Sequence, residues 1–158
     1  MSRIRRILPI LISLTIFFSC RHSTTMPPDF NFRFTYGYFS DKVLNTFDST
    51  FSKPYYARDT VIKIILTKDE MKQIYKVLDE NDYLDLPDTI ISKECQIPHP
   101  YYYLEVQANT RKKTIYSWKG CTNDKNNRRF EIIRERILNI ISSKKEIENI
   151  PSSNRIAL

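Results

Sequence analysis

Glycine and histidine are scarce in this sequence, and their scarcity excludes several kinds of active site. The 158 residues include two glycines, Gly37 and Gly120, which are too few for a glycine-rich phosphate loop or a dinucleotide-binding fingerprint. The two histidines, His22 and His99, are too few for a multi-histidine metal site. We therefore expect neither a cofactor nor a metal ion.

Near its start, the sequence also lacks an apolar run long enough to cross a membrane as a helix. The run from Ile7 to Phe18 has 12 residues, whereas a spanning helix needs about 20. Three arginines, Arg3, Arg5 and Arg6, precede it, and the first acidic residue is Asp29. A basic start followed by an apolar run of this length is typical of a secretory signal peptide.

The apolar run ends in Phe17-Phe18-Ser19-Cys20, which resembles the lipobox of bacterial lipoproteins. In that family a small residue precedes a cysteine that is acylated, for example with palmitate, and becomes the mature N-terminus. Ser19 and Cys20 match these two positions, whereas the two phenylalanines replace the residues that are usual before them. The resemblance implies that residues 1–19 are a signal peptide and that Cys20 carries a lipid anchor.

A lipidated Cys20 implies that the protein is held at a membrane of the cell envelope. Arg21 follows the cysteine, where enteric-type lipoproteins that stay at the inner membrane have Asp. We therefore expect the outer membrane rather than the inner membrane. The alternative is an ordinary secretory signal that is cleaved near Ser23, which would discard Cys20.

The formal net charge of +7 overstates the basic character of the exported protein. Cleavage before Cys20 leaves 139 residues and removes three arginines, which lowers the charge to +4. Residues 91–158 still carry 13 basic and 7 acidic side chains. Such a basic half is typical of nucleic-acid binding. An exported protein does not meet nucleic acid, so we expect no nucleic-acid partner, and anionic lipid or polymer is the available counterpart. The alternative is a solvated surface of mixed charge that binds neither.

Alternating and β-branched residues predict three strands in the first part of the mature chain. Residues 20–29 offer little that can be buried and are predicted to be a tether, followed by a single α+β domain over residues 30–158. Aromatic and polar residues alternate from Phe30 onward, which predicts a strand with one aromatic face. We predict a return strand from Val43 to Phe51 and a well-buried third strand from Thr60 to Leu66.

Two amphipathic segments predict helices. Thr67 and Glu70 have the spacing of a capping box, in which each side chain accepts a hydrogen bond from the other residue's backbone N–H. This box begins a predicted helix over residues 68–80. A second helix is predicted from about Lys125 to Ser143, because its isoleucines recur along one stripe.

A second hairpin lies between the two predicted helices. Strands over 101–107 and 111–118 flank a turn at Asn109-Thr110. With a two-residue loop, the residue numbers of each cross-strand pair add up to 219. With a three-residue loop they add up to 220, and both registers remain open. The order β-β-β-α-β-β-α predicts an α+β fold, with a largely antiparallel sheet of about five strands and two helices on one face.

Cys95 and Cys121 are the cysteines that remain after lipidation of Cys20. An even number of cysteines in an oxidising compartment is typical of a disulfide framework. The two residues flank the open end of the second hairpin, which brings them close together. We therefore predict a disulfide between Cys95 and Cys121, with two buried free thiols as the alternative.

Aromatic residues are concentrated in the second hairpin. In either register Tyr101 and Tyr103 share one face, because successive side chains of a strand point to opposite faces. That face is exposed if Leu104 and Val106 face the core. The alternative is cross-strand aromatic packing beneath a helix. We predict that the partner-binding residues are the aromatic and basic side chains of this surface, namely Tyr101, Tyr103, Trp118, Lys112 and Lys119.

These features favour a non-catalytic, lipid-anchored envelope protein that binds a protein or a cell-wall partner, with inhibitor or immunity roles included in this class. The alternative is a small envelope hydrolase that uses carboxylates or His99. His99 lies between Pro98 and Pro100, and no motif marks a nucleophile or an orienting acid for it. We therefore predict no catalytic residue.

Overall fold

The computed structural model describes residues 25–37, 40–55, 58–90, 101–118 and 124–150. The predicted lipidation at Cys20, the predicted disulfide and the residues His99 and Lys119 lie outside these ranges. The described elements, in chain order, are β1 (Asn31–Tyr36), β2 (Lys42–Asn45), β3 (Thr50–Tyr55), β4 (Arg58–Lys63), α1 (Lys68–Glu80), a 3₁₀ turn (Tyr83–Asp85), β5 (Thr89–Ile90), β6 (Tyr101–Ala108), β7 (Arg111–Trp118), α2 (Lys125–Ser142) and α3 (Lys145–Glu148).

The strands form one sheet of seven strands in the order β4-β3-β2-β1-β6-β7-β5. Neighbouring strands are antiparallel except at one edge, where β5 runs parallel to β7. The predicted α+β class is confirmed. The detail differs, because the described residues form seven strands in a mixed sheet and three helices, instead of about five largely antiparallel strands and two helices.

The segment predicted as one strand from Val43 to Phe51 consists of two strands. A turn between β2 and β3 interrupts it, in which the Asn45 side chain donates to Asp48 at 2.8 Å and accepts from the Phe47 backbone N–H at 3.3 Å. Phe47 is therefore exposed in the turn rather than buried in a strand. Asn and Asp side chains compete with strand pairing through such local hydrogen bonds to the backbone and to each other.

The prediction of a well-buried third strand from Thr60 to Leu66 is wrong. The strand β4 ends at Lys63 and lies at the edge of the sheet. Val61 is 60% exposed and Ile65 is 65% exposed, whereas Ile64 is buried. A run of β-branched residues favours a strand, but only one of its two faces meets the core here.

The helix starts and the second hairpin follow the predictions closely. The capping box is present, since the Thr67 hydroxyl accepts from the Glu70 N–H at 3.2 Å and the Thr67 N–H donates to Glu70 Oε2 at 2.7 Å. The hairpin has a two-residue turn, and Tyr101 pairs with Trp118, which is the register that sums to 219. The helix α2 ends at Ser142, one residue before the predicted end.

The core lies between one face of the sheet and the helices α1 and α2. Tyr75 of α1 meets Phe30 edge to face, with ring centroids 5.1 Å apart, and the Arg134 guanidinium of α2 lies 5.0 Å from the ring centroid of Tyr102. The fully buried side chains come from both layers and include Phe32, Phe34, Phe51, Leu104, Ile115, Ile74, Leu78, Phe130, Ile133 and Ile137. We call the other side of the sheet, which points away from α1 and α2, the open face.

The folded contacts begin before Phe30, the first residue of the predicted domain. Met26 packs against the core, and the Phe30 N–H donates to the Pro27 carbonyl at 3.2 Å. Residues 26–29, which we predicted to belong to the tether, therefore contact the domain. None of the helices in the described ranges is long and apolar enough to cross a bilayer.

Candidate functional site

Four aromatic side chains of β6 and β7 lie together on the open face. The hairpin register places Tyr101 opposite Trp118 and Tyr103 opposite Tyr116. Side chains alternate along a strand, so these four point away from the helices while their neighbours point into the core. Those neighbours are indeed buried: Tyr102, Leu104, Ile115 and Ser117. We call Tyr101, Tyr103, Tyr116 and Trp118 the aromatic patch.

The four rings of the aromatic patch are not equally accessible. Tyr101 is 41% exposed and Tyr116 is 46% exposed, whereas Tyr103 and Trp118 are half-buried. The ring centroids of Tyr103 and Tyr116 lie 4.9 Å apart, so Tyr116 covers part of Tyr103. Tyr101 and Tyr116 therefore provide most of the surface that a partner can reach.

A chain of hydrogen bonds fixes Tyr103. Its hydroxyl donates to Glu105 Oε2 at 2.9 Å, and Lys112 Nζ donates to Glu105 Oε1 at 2.6 Å. The hydrogen bond from Lys112 keeps the pKa of Glu105 below its ordinary value, and the Tyr103 hydroxyl adds to this effect. Desolvation raises the pKa of Tyr103, and the hydrogen bond to Glu105 raises it further. Glu105 is therefore charged and Tyr103 neutral at pH 7.

The backbone around the aromatic patch is also held by contacts to other parts of the chain. Ser40 Oγ donates to the backbone carbonyl of Tyr101 at 3.0 Å, at the first residue of β6. At the other end of the hairpin, the Asp29 carboxylate accepts from the N–H groups of Asn109 and Thr110 at 2.9 and 2.7 Å. Both ends of the hairpin are thus tied to segments before and after β1.

The aromatic patch is part of a row that crosses the whole sheet. Thr35 of β1 lies opposite Tyr103 on one side and opposite Val43 of β2 on the other. The row contains only uncharged side chains and reads, from β4 to β5, Val61, Ser52, Val43, Thr35, Tyr103, Tyr116 and Thr89. The open face therefore offers an uncharged strip with its aromatic end at β6 and β7.

The structure places most of the predicted partner-binding residues on this one surface. Tyr101, Tyr103, Trp118 and Lys112 all lie on the open face, whereas Lys119 lies outside the described residues. The Lys112 side chain is 63% exposed, although its ammonium group is already bonded to Glu105. Tyr116 was missed as a site residue; the register that sums to 219 puts it opposite Tyr103 and would have identified it.

Two small depressions lie elsewhere on the described surface. One of about 180 Å³ lies between α1 and α2, and one of about 90 Å³ lies beside Ile64 and Met71. Pockets that enclose small ligands usually measure roughly 300–1,000 Å³. In the described ranges no three side chains are grouped so that they could hold a metal ion. Neither of the two depressions reaches the size of such a pocket.

A scan against models of known protein families matches none of them, and a search of curated proteins gives no match.

Proposed function

We propose that this chain is a lipid-anchored, non-catalytic protein of the bacterial cell envelope that binds a partner protein or the cell wall through the aromatic patch. The observation that carries the proposal is the exposure of Tyr101 and Tyr116, 41% and 46%, on a sheet face that points away from both long helices. Exposed tyrosines are effective anchors because they bury a large area and have few rotatable bonds.

The rigidity of the surface supports a binding role. Tyr103 is fixed by Glu105 and by the ring of Tyr116, so its ring is held in place before a partner arrives. Ordering flexible side chains on binding costs about 0.5–1.5 kcal/mol each, and a preformed surface avoids this cost. A rigid aromatic surface of this kind is also sufficient for an inhibitor or immunity protein, which needs no catalytic group.

The position of the anchor supports a role close to the membrane. If Cys20 carries the lipid, six residue-to-residue steps along the chain separate it from Met26, the first described residue that packs against the core. A fully extended chain spans about 3.3 Å per residue, so the domain lies within about 20 Å of the lipid attachment point. We place this anchor in the outer membrane, because Arg21 rather than Asp follows Cys20.

A pair of substitutions tests the role of the aromatic patch. Tyr101→Ala with Tyr116→Ala removes the two exposed anchors, and each anchor of an interface can contribute about 2 kcal/mol or more to binding. Chemical crosslinking in intact cells should then recover the partner at least about tenfold less efficiently than with the unmodified chain. A crosslinked product that muramidase digestion releases identifies the cell wall, and one that only protease digests identifies a protein.

Phe47→Ala is the matched control for this experiment. Phe47 is also 41% exposed, but it lies in the turn between β2 and β3 and not in the aromatic patch. We expect this variant to crosslink like the unmodified chain. The proposal is contradicted if the Tyr101→Ala, Tyr116→Ala variant is folded and still captures the same partner with the same yield.

A further inference from the structure

The strand β4 presents a backbone edge that no other described strand occupies. It pairs with β3 on one side and stands first in the order of the sheet. Ile62 lies opposite the buried Phe51, so the side chains on either side of Ile62 belong to the open face. By this alternation, the side chains of β4 on the open face are those of Asp59, Val61 and Lys63, and all three are exposed.

The same three residues direct their backbone groups toward the edge that no described strand occupies. The Ile64 N–H donates to the Ser49 carbonyl at 2.8 Å, which continues the register between β3 and β4. Backbone groups alternate in direction along a strand. The groups of Ile62 and Thr60 therefore face β3, whereas those of Asp59, Val61 and Lys63 face away from it.

The charges on this edge are symmetric about Val61. Asp59 lies two residues before Val61 and Lys63 two residues after it. Within the part of the chain that the structure describes, neither of the two takes part in an ion pair. Charged residues usually protect an edge from pairing. Two opposite charges at equal distances from one residue favour instead an antiparallel partner with the same sequence.

We propose that two copies of this chain associate through their β4 strands, antiparallel, about a two-fold axis through Val61. In this arrangement Val61 lies opposite Val61 of the second copy, and each Asp59 lies opposite a Lys63. Each of these pairs can exchange two backbone hydrogen bonds, because all three residues have their N–H and C=O groups at the edge. Opposite charges that face each other across paired strands stabilise the pairing.

Other registers of the same two strands lose this match. An axis through Asp59 places two aspartates opposite each other, and an axis through Lys63 does the same for two lysines. An axis through Thr60 pairs Asp59 with Val61 and leaves Lys63 without an acid. Only the axis through Val61 places both carboxylates opposite ammonium groups, so the side chains specify one register.

The dimer has a consequence for the open face. A two-fold axis perpendicular to the joined sheet leaves both open faces on the same side. The two aromatic patches then point in one direction and can engage a repetitive or dimeric partner at two points. The association itself does not depend on the aromatic patch and stands even if that patch binds nothing.

Charge reversal tests the proposed register on the full chain in detergent micelles by analytical ultracentrifugation. Lys63→Glu places acids opposite acids, and Asp59→Lys places bases opposite bases. Each should weaken association at least about tenfold, whereas the double variant Asp59→Lys, Lys63→Glu restores the complementarity and should restore the dimer. Lys68→Glu makes the same change in charge at an exposed position of α1 and should leave association unchanged.

A cysteine at Val61 provides a second, geometric readout. Residues opposite each other in a hydrogen-bonded antiparallel pair have Cα atoms about 5.5 Å apart, which suits a disulfide. Val61→Cys should form a crosslink between the two copies at this position, identified by peptide mass spectrometry. Ile65→Cys, at a position of similar exposure (65% against 60% for Val61), should not crosslink to itself. A monomeric unmodified chain, a dimer that Lys63→Glu does not weaken, or self-crosslinking of both cysteine variants would overturn the proposal.

Discussion

Asp29 Oδ2 accepts a 2.7 Å hydrogen bond from the backbone N–H of Thr110, which lies 81 residues later in the sequence. The other carboxylate oxygen accepts from the N–H of Asn109 at 2.9 Å. Asp29 lies just before β1, and the two donors form the turn of the hairpin that carries the aromatic patch. This contact links the start of the domain to the turn of the hairpin, at the end opposite the aromatic patch.

The stability that Asp29 provides should depend on pH. Hydrogen bonds from the backbone of Thr110 and then Asn109 lower the pKa of Asp29 from its ordinary value of 3.8. A carboxyl group whose pKa is lowered by folding stabilises the fold above its unfolded pKa, and this contribution is lost as the pH falls through the folded pKa. The melting temperature of Asp29→Ala should therefore lie below that of the unmodified chain at about pH 7. The gap should narrow as the pH falls below about 3.8, and a gap that does not change with pH would contradict this account.

Thr110→Gly should stabilise the hairpin. Asn109 and Thr110 have φ values of +51° and +61°, as a two-residue type I′ turn requires. A β-branched residue at positive φ is strained by roughly 1–2 kcal/mol, whereas glycine is not. The greater freedom of glycine in the unfolded chain offsets about 0.5–1 kcal/mol of this gain. Thermal unfolding should show an increase of a few degrees, and Thr114→Gly within β7 should show a decrease. A decrease in both variants would mean that the turn is not strained.

Glu70 should contribute more to stability than the exposed acids of α1. Its Oε2 accepts from the Thr67 N–H and from Lys144 Nζ, the latter at 2.6 Å, so one carboxylate caps α1 and also ties it to the segment between α2 and α3. Desolvation raises the pKa of Glu70, but the hydrogen bonds from Lys144 and Thr67 outweigh it and leave the pKa lowered. Glu70→Ala should cost about 2 kcal/mol of unfolding free energy in urea titrations near pH 7.

Glu80→Ala is the control for Glu70→Ala. Glu80 forms an exposed ion pair with Lys76, and such pairs contribute at most about 0.5 kcal/mol. The cost of Glu70→Ala should also decrease as the pH falls below about 4.5, because the protonated acid loses its ion pair. Equal costs for the two variants at pH 7 would show that the contact with Lys144 adds nothing.

Local patterns in the sequence were sufficient to predict the elements whose ends are defined by nearby residues. The capping box of Thr67 and Glu70 marks the start of α1, and the turn at Asn109 and Thr110 marks the hairpin. In both cases the hydrogen bonds that define the boundary join residues close in sequence. Such signals are visible without the rest of the fold.

The elements that were missed depend on contacts between distant parts of the chain. The strand β5 has two residues, Thr89 and Ile90, and exists because they reach β7, so no periodicity reveals it. The edge position of β4 is likewise a property of the assembled sheet. For the candidate site, alternation was sufficient to group Tyr101 with Tyr103. Assigning Tyr116 to the same surface required the register of the hairpin, which the sequence left open between two possibilities.

The most direct test of the binding role is site-specific photocrosslinking in intact cells, with the full chain carrying a photoreactive residue in place of Tyr101 or of Lys72. Tyr101 lies in the aromatic patch, whereas Lys72 is an exposed residue of α1 on the opposite side of the sheet, with 55% of its side chain accessible. A partner that contacts the open face should be crosslinked from position 101 and not from position 72. Crosslinking of the same partner only from position 72, or with equal yield from both positions, would contradict the claim that the open face is the binding surface.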